Sequence, residues 1–221
     1  MRTIRVTGSG MLKLKPDTTK VSITLEGFYL DYSETLRHSS ENTETLKDLL
    51  SAFGFERSDL KTLNFSVDTE YEGYEEEGIF KQRLKGYRFH HYFKIEFDSD
   101  NERLGKILYT LANSELNPEI RISYTVKDHE KAKNDLLGKA VNDAKSKAEI
   151  IACAASVSLG DIQNIEYSLG IKDFEVRPMN RALMKMSDSE ADNLNTSAYS
   201  LDIEPDDIEV SDSVTVIWEI L

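Results

Sequence analysis

Two alternating stretches stand at opposite ends of the chain, and together they constrain its fold more than anything between them. The opening stretch runs Ile4-Arg5-Val6-Thr7-Gly8-Ser9-Gly10 to Pro16-Asp17. The closing one runs from Pro205-Asp206-Asp207-Ile208-Glu209-Val210 through Val214, Val216 and Trp218 to Ile220. Alternation of apolar and polar residues marks a half-buried strand. A last strand that follows a long polar interruption needs a partner already in place, so it is expected to complete a sheet begun at the first. On that reading residues 1–221 form one domain, and no linker divides them.

The segments between the ends read as an alternation of strands and helices. Pro16-Asp17 predicts a turn that folds Ile4, Val6 and Leu12 back on Val21, Ile23 and Leu25 as a hairpin. Asp31-Tyr32-Ser33-Glu34 has capping-box spacing, with Asp31 or Ser33 as the cap. The helix it opens carries Leu36, Leu46, Leu49, Leu50 and Phe53, and Gly54 ends it. A strand from about Thr62 to Tyr71 is followed by an expected loop in which Glu70, Glu72, Glu75, Glu76 and Glu77 mingle with Tyr71, Gly73, Tyr74 and Gly78. Then comes the cleanest period of two: Tyr87, Phe89, His91, Phe93, Ile95 and Phe97 alternate with Arg88, His90, Tyr92, Lys94 and Glu96. Asp100 predicts the cap of a short helix, and Ile120, Ile122, Tyr124 and Val126 a strand. Asp128 opens a long helix with alanines three and four apart, a face that lets a helix lie close to a sheet. Ile162, Ile165, Tyr167 and Leu169 suggest a further short strand. The fold class is therefore α+β, a mainly antiparallel sheet with helices packed on it. Residues 171–205 show no sustained period and are expected to form a mobile insertion.

Charge narrows the partners. Forty acidic against 27 basic residues give a net charge of -13, which opposes attraction to nucleic acid and to anionic membranes. No stretch is apolar for long enough to span a membrane, and none has the apolar core of a signal peptide. The chain as written is expected to be cytoplasmic, without membrane insertion. Cys153 is the only cysteine, so no disulfide forms within one chain, and its helical setting suggests a packed apolar role.

Candidate chemistry is sparse. Gly8-Ser9-Gly10 lacks the third glycine and following helix of a dinucleotide loop and reads instead as a strand relieved for close approach of another backbone. His90 and His91 point to opposite faces of one strand, so they cannot share a metal; His91, on the apolar face, reads as a hydrogen-bonded packing residue. The acids of the 70–77 stretch lack the ordered spacing of a calcium loop. Serines occur without a nucleophile elbow. No catalytic residue, metal or cofactor is expected.

The order and spacing of several elements resemble the SIMPL domain family, found widely in bacteria. They are Val6-Thr7-Gly8-Ser9-Gly10 with Pro16-Asp17, Gly54 to Thr62 with Asp59-Leu60, Gly86-Tyr87, the helix with Ala140, Ala144, Lys147 and Ala148, and Ile208-Glu209-Val210-Ser211 before Val214-Thr215-Val216. Only 171–205 lies outside the pattern. The resemblance implies an α+β fold, relatives that are often exported to the bacterial envelope, and no accepted catalytic set. It also implies, from some relatives, assembly into multimers or a part in stress responses. The functional expectation is a non-enzymatic protein that contacts other proteins, homo-oligomer partners included, with Tyr71 and Tyr74 in the contact loop. A small-ligand module with a groove near Tyr87, His91 and Tyr124 is the alternative, and a hydrolase stands behind both.

Overall fold

The last strand does complete the first sheet. A computed structural model describes residues 2–167, 174–177 and 203–221. In it β1 (Thr3–Leu14) pairs antiparallel with β7 (Ile208–Ile220), from Thr3 opposite Glu219 to Leu14 opposite Ile208. β6 (Leu159–Glu166) takes the other side of β7, giving the order β1-β7-β6. The expected hairpin at Pro16-Asp17 does not form. β2 (Thr18–Tyr29) belongs to a different sheet, and the turn is tied elsewhere: the Asp17 N–H donates to Thr125 O at 3.1 Å, and Asp17 Oδ1 accepts from the Lys127 N–H at 2.8 Å. Strand β1 has already spent its pairing side on β7 along its full length.

Packing gathers the chain into two units. The first comprises Met1–Asp17, Tyr124–Val176 and Pro205–Leu221, and the second Thr18–Ser123 and Arg177–Glu204. In the first, α3 (His129–Ala154) lies on the sheet. It starts at Asp128, whose carboxylate accepts from the Lys131 N–H at 2.8 Å, and buries Ala132, Leu136, Ala140, Ala144, Ala148 and Ala152. Alanine and glycine meet there. A Cβ on Gly8 would overlap the Ala140 carbonyl oxygen and the Ala144 amide nitrogen and come within 2.6 Å of the Ala144 Cβ. Val6, Val214, Val216 and Trp218 close the core around this contact. Cys153 is exposed, against expectation, because Ala152 and not its neighbour faces the sheet.

The second unit is built on a four-stranded sheet in the order β3-β4-β2-β5, from β3 (Lys61–Glu76), β4 (Ile79–Asp98), β2 and, up to Ser123, β5 (Glu119–Thr125). α1 (Tyr32–Ser51) and α2 (Asn101–Ala112), with Phe55 and Leu60 from the stretch between α1 and β3, supply the rest of its core. Phe89, Phe93, Ile95 and Phe97 are buried, as the period of two requires, and full burial of each is worth about 2 kcal/mol. α1 begins at Asp31 and buries Thr35, Ser39, Leu46 and Leu50; Leu36 faces outward instead. α2 is capped by Asp100, which accepts from the Arg103 N–H at 3.0 Å. The Arg103 guanidinium lies 4.2 Å from the Phe55 ring centroid and 5.1 Å from that of Phe97, and it donates to Phe53 O at 2.8 Å.

The expectation of a mobile 171–205 falls largely outside the described residues. Within it Phe174 is buried and Val176 exchanges both backbone hydrogen bonds with Tyr124, at 2.8 and 2.9 Å.

Candidate functional site

The expected loop after Tyr71 is a strand. β3 continues to Glu76 and β4 starts at Ile79, with Glu76 opposite Ile79 and only Glu77-Gly78 between them. Both turn residues have positive φ, 54° and 76°, the requirement of the two-residue type I′ turn that matches strand twist. β2 pairs with β4 only between Tyr87 and Asp98, so the outer part of β3 and β4 is a two-stranded ribbon.

The ribbon has two unlike faces. Tyr71 opposes Leu84, Gly73 opposes Gln82 and Glu75 opposes Phe80. Directly opposed residues share a face, which brings Tyr71, Phe80 and Leu84 together, exposed to 60%, 73% and 48%. The Phe80 ring lies across Gly73, where a Cβ would overlap it. On the other face Glu72 pairs with Arg83, Glu76 with Lys81 at 2.7 Å, and Glu70 with Arg88. Tyr74 is on this charged face, 5.6 Å from the Arg83 guanidinium. The contact residues Tyr71 and Tyr74 therefore look in opposite directions. The Arg88 hydrogen bond holds the Glu70 carboxyl below the ordinary range.

The groove residues divide between the units: Tyr87 and His91 in the second, Tyr124 in the first. Tyr87 meets Tyr32 edge-on at 5.4 Å. His91 is held between two threonines, with Thr43 Oγ1 3.3 Å from Nδ1 and Thr62 Oγ1 3.2 Å from Nε2. The Thr43 hydroxyl already donates to Ser39 O at 2.7 Å. It can then only accept from His91, which assigns the proton to Nδ1 and leaves Nε2 to accept from Thr62. Burial first, and then the charge of Lys47, lower the His91 pKa to about 4, so the ring is neutral near pH 7. Tyr124 is fully buried, its hydroxyl lacks a hydrogen-bond partner among the described residues, and burial pushes its phenol up.

The outer strands differ in how their edges are treated. At β1 the helix covers the edge: the Ser9 N–H donates to Asp143 Oδ2 at 2.7 Å, and Lys139 Nζ donates to Met11 O at 3.3 Å. Lys147 and then the Ser9 amide hold the Asp143 carboxyl below its usual range. The outer edge of β3 meets no such partner among the described residues, and Leu63 and Phe65 are exposed along it. Open edges of this kind invite pairing.

Phe80 and Leu84 were not anticipated as contact residues, because the acids around them read as a loop. The signal was present: Phe80, Gln82 and Leu84 alternate with Lys81, Arg83 and Lys85, one residue after a Glu-Gly pair. Among the described residues no three His, Cys, Asp or Glu side chains gather as a metal site would need, and no helix is long and apolar enough to cross a membrane.

Comparison with known proteins finds one family over nearly the whole chain. The family SIMPL, described as a protein of unknown function (DUF541), matches residues 4–218. The chain is also similar to the uncharacterized protein YggE of Edwardsiella ictaluri (strain 93-146), with 22% identity over 213 residues, covering 96% of this chain and 84% of that one.

Proposed function

The chain belongs to the SIMPL family, and from that premise we propose that it is a non-enzymatic protein whose work is to contact other proteins, copies of itself included. The observation that carries this reading is the contrast between outer strands. α3 occupies the edge of β1 with Asp143 and Lys139, whereas β3 runs 16 residues with its outer edge open among the described residues and with Leu63, Phe65 and Tyr71 exposed. A long open edge offers unpaired backbone donors and acceptors to a strand of another chain. Light scattering over a hundredfold concentration range tests the self-contact, with a mass that climbs above one chain as the expected result. A mass fixed at one chain counts against it.

A second reading, a small-ligand module, draws on the buried Tyr124 hydroxyl, whose lack of a partner among the described residues is costly in an apolar setting. A thermal-shift screen separates the two readings, because a ligand that prefers the native state raises the unfolding temperature.

A further inference from the structure

We propose that the apolar face of the β3–β4 ribbon, made by Tyr71, Phe80 and Leu84, is the surface through which two copies of this chain meet, stacked face to face about a two-fold axis. This rests on the contact reading above, names its partner, and places the self-contact on the ribbon's face rather than on the open edge of β3. Three observations lead to it.

The first is the ribbon's amphipathic build. Glu70, Glu72 and Glu76 are matched on their own face by Arg88, Arg83 and Lys81, so that side carries its charge already balanced. The opposite face presents Tyr71, Phe80 and Leu84, with Gly73 flattened under the Phe80 ring and Glu75 the one charged residue, next to the turn. Alternation along β3 puts Tyr71 on the same face as Phe65 and Val67, and Val67 packs against the buried core. The core face thus continues outward onto the ribbon. α1 covers it at β2 and β4, and the ribbon's part is exposed.

The second is charge. Pairing edge to edge through the outer half of β3 would set Glu70, Glu72, Glu75 and Glu76 of one copy against the same acids of the other, and opposed like charges are destabilising. Face stacking avoids this, since the acids other than Glu75 point away from the contact. A face with so little charge selects another apolar face, and a two-fold axis supplies the same patch from a second copy.

The third is area. At their observed exposure the three side chains present about 350 Å² per copy, or about 700 Å² for the pair. That is below the ~1,200 Å² of a stable complex, which makes the dimer weak and concentration-dependent.

Sedimentation of the whole chain over a hundredfold concentration range, with the fold followed by circular dichroism, tests the proposal. The wild type is expected to move from one chain toward two. Phe80→Ser with Leu84→Ser is expected to weaken the dimer at least tenfold, and Tyr74→Ser, on the charged face, to leave it unchanged. Leu84→Arg alone keeps the Phe80 contact with Gly73 and serves if the double variant misfolds; it too is expected to weaken the dimer tenfold. If the wild type dimerises and the Phe80 and Leu84 variants dimerise equally well, this placement is overturned and the wider contact reading stands. A wild type that stays at one chain overturns the proposal together with self-contact, leaving only contact with other proteins. Weakening by Tyr74→Ser to the same extent would move the surface to the charged face and also overturn it.

Discussion

At Gly8 the chain has no room for a side chain, because the space a Cβ would take is filled by the backbone of α3 at Ala140 and Ala144. Helix backbone cannot yield as a flexible side chain can. Gly8→Ala is therefore expected to cost about 3 kcal/mol, the upper part of the overpacking range, read as a lowered urea midpoint. His91 makes a second prediction, on pH. Its folded pKa, about 4, lies below the ordinary 6.5, so the fold favours the neutral ring. The resulting stability is fully present above about pH 6.5 and is lost as the pH falls toward 4. His91→Gln should flatten that part of the stability profile while leaving the profile above pH 7 level; a profile unchanged by the substitution would show that His91 is not its source. The alternation of β4 made the placement of His91 on the apolar face legible in advance. Its two threonine partners were not legible, since Thr43 comes from α1 and Thr62 from β3, and nothing local ties either to residue 91.

Helix starts and the ribbon turn belong to the scale of single elements. Asp100 and Asp128 each accept a backbone hydrogen bond from the third residue after them, whereas Asp31 makes no such bond. Asp100→Ala and Asp128→Ala should each cost about 1 kcal/mol, and Asp31→Ala less than about half as much. Equal losses at all three, measured by chemical denaturation, would contradict the capping geometry. In the ribbon, Glu77 holds a left-handed φ of 54° that asparagine adopts more readily than glutamate. Glu77→Asn is expected to stabilise the ribbon by about 0.5 kcal/mol, seen as slower amide exchange between Tyr71 and Leu84. Aspartates at the helix starts announced the helices well because such signals act within a few residues. The same local reading misjudged the ribbon: a run of glutamates lowers strand propensity, and the cross-strand ion pairs with Arg83, Lys81 and Arg88 that offset it come from residues 5 to 18 positions away.

For the whole molecule the decisive element is β7, the middle strand of β1-β7-β6. Ending the chain before Ile208 removes the hydrogen-bonding partner of both neighbours and with it Val214, Val216 and Trp218 from the core. The expected outcome is loss of amide protection throughout β1 and β6, with protection retained in β2 and β4, whose partners lie elsewhere. Retained protection in β1 would show that some other strand can replace β7. By itself the amino-acid sequence determined where the helices and most of the strands lie, which face of most of them is buried, and why two glycines sit in β1. Those properties follow from side-chain periodicity and steric fit, which each segment carries within itself. Tertiary structure alone decided that β1 and β2 part into separate sheets, that α3 covers the edge of β1, and that β3 and β4 run on beyond β2 with an apolar face uncovered. Backbone hydrogen-bonding groups are the same at nearly every residue, so a strand's sequence says that it must pair without saying with which strand, and only the packing of the assembled sheets makes that choice.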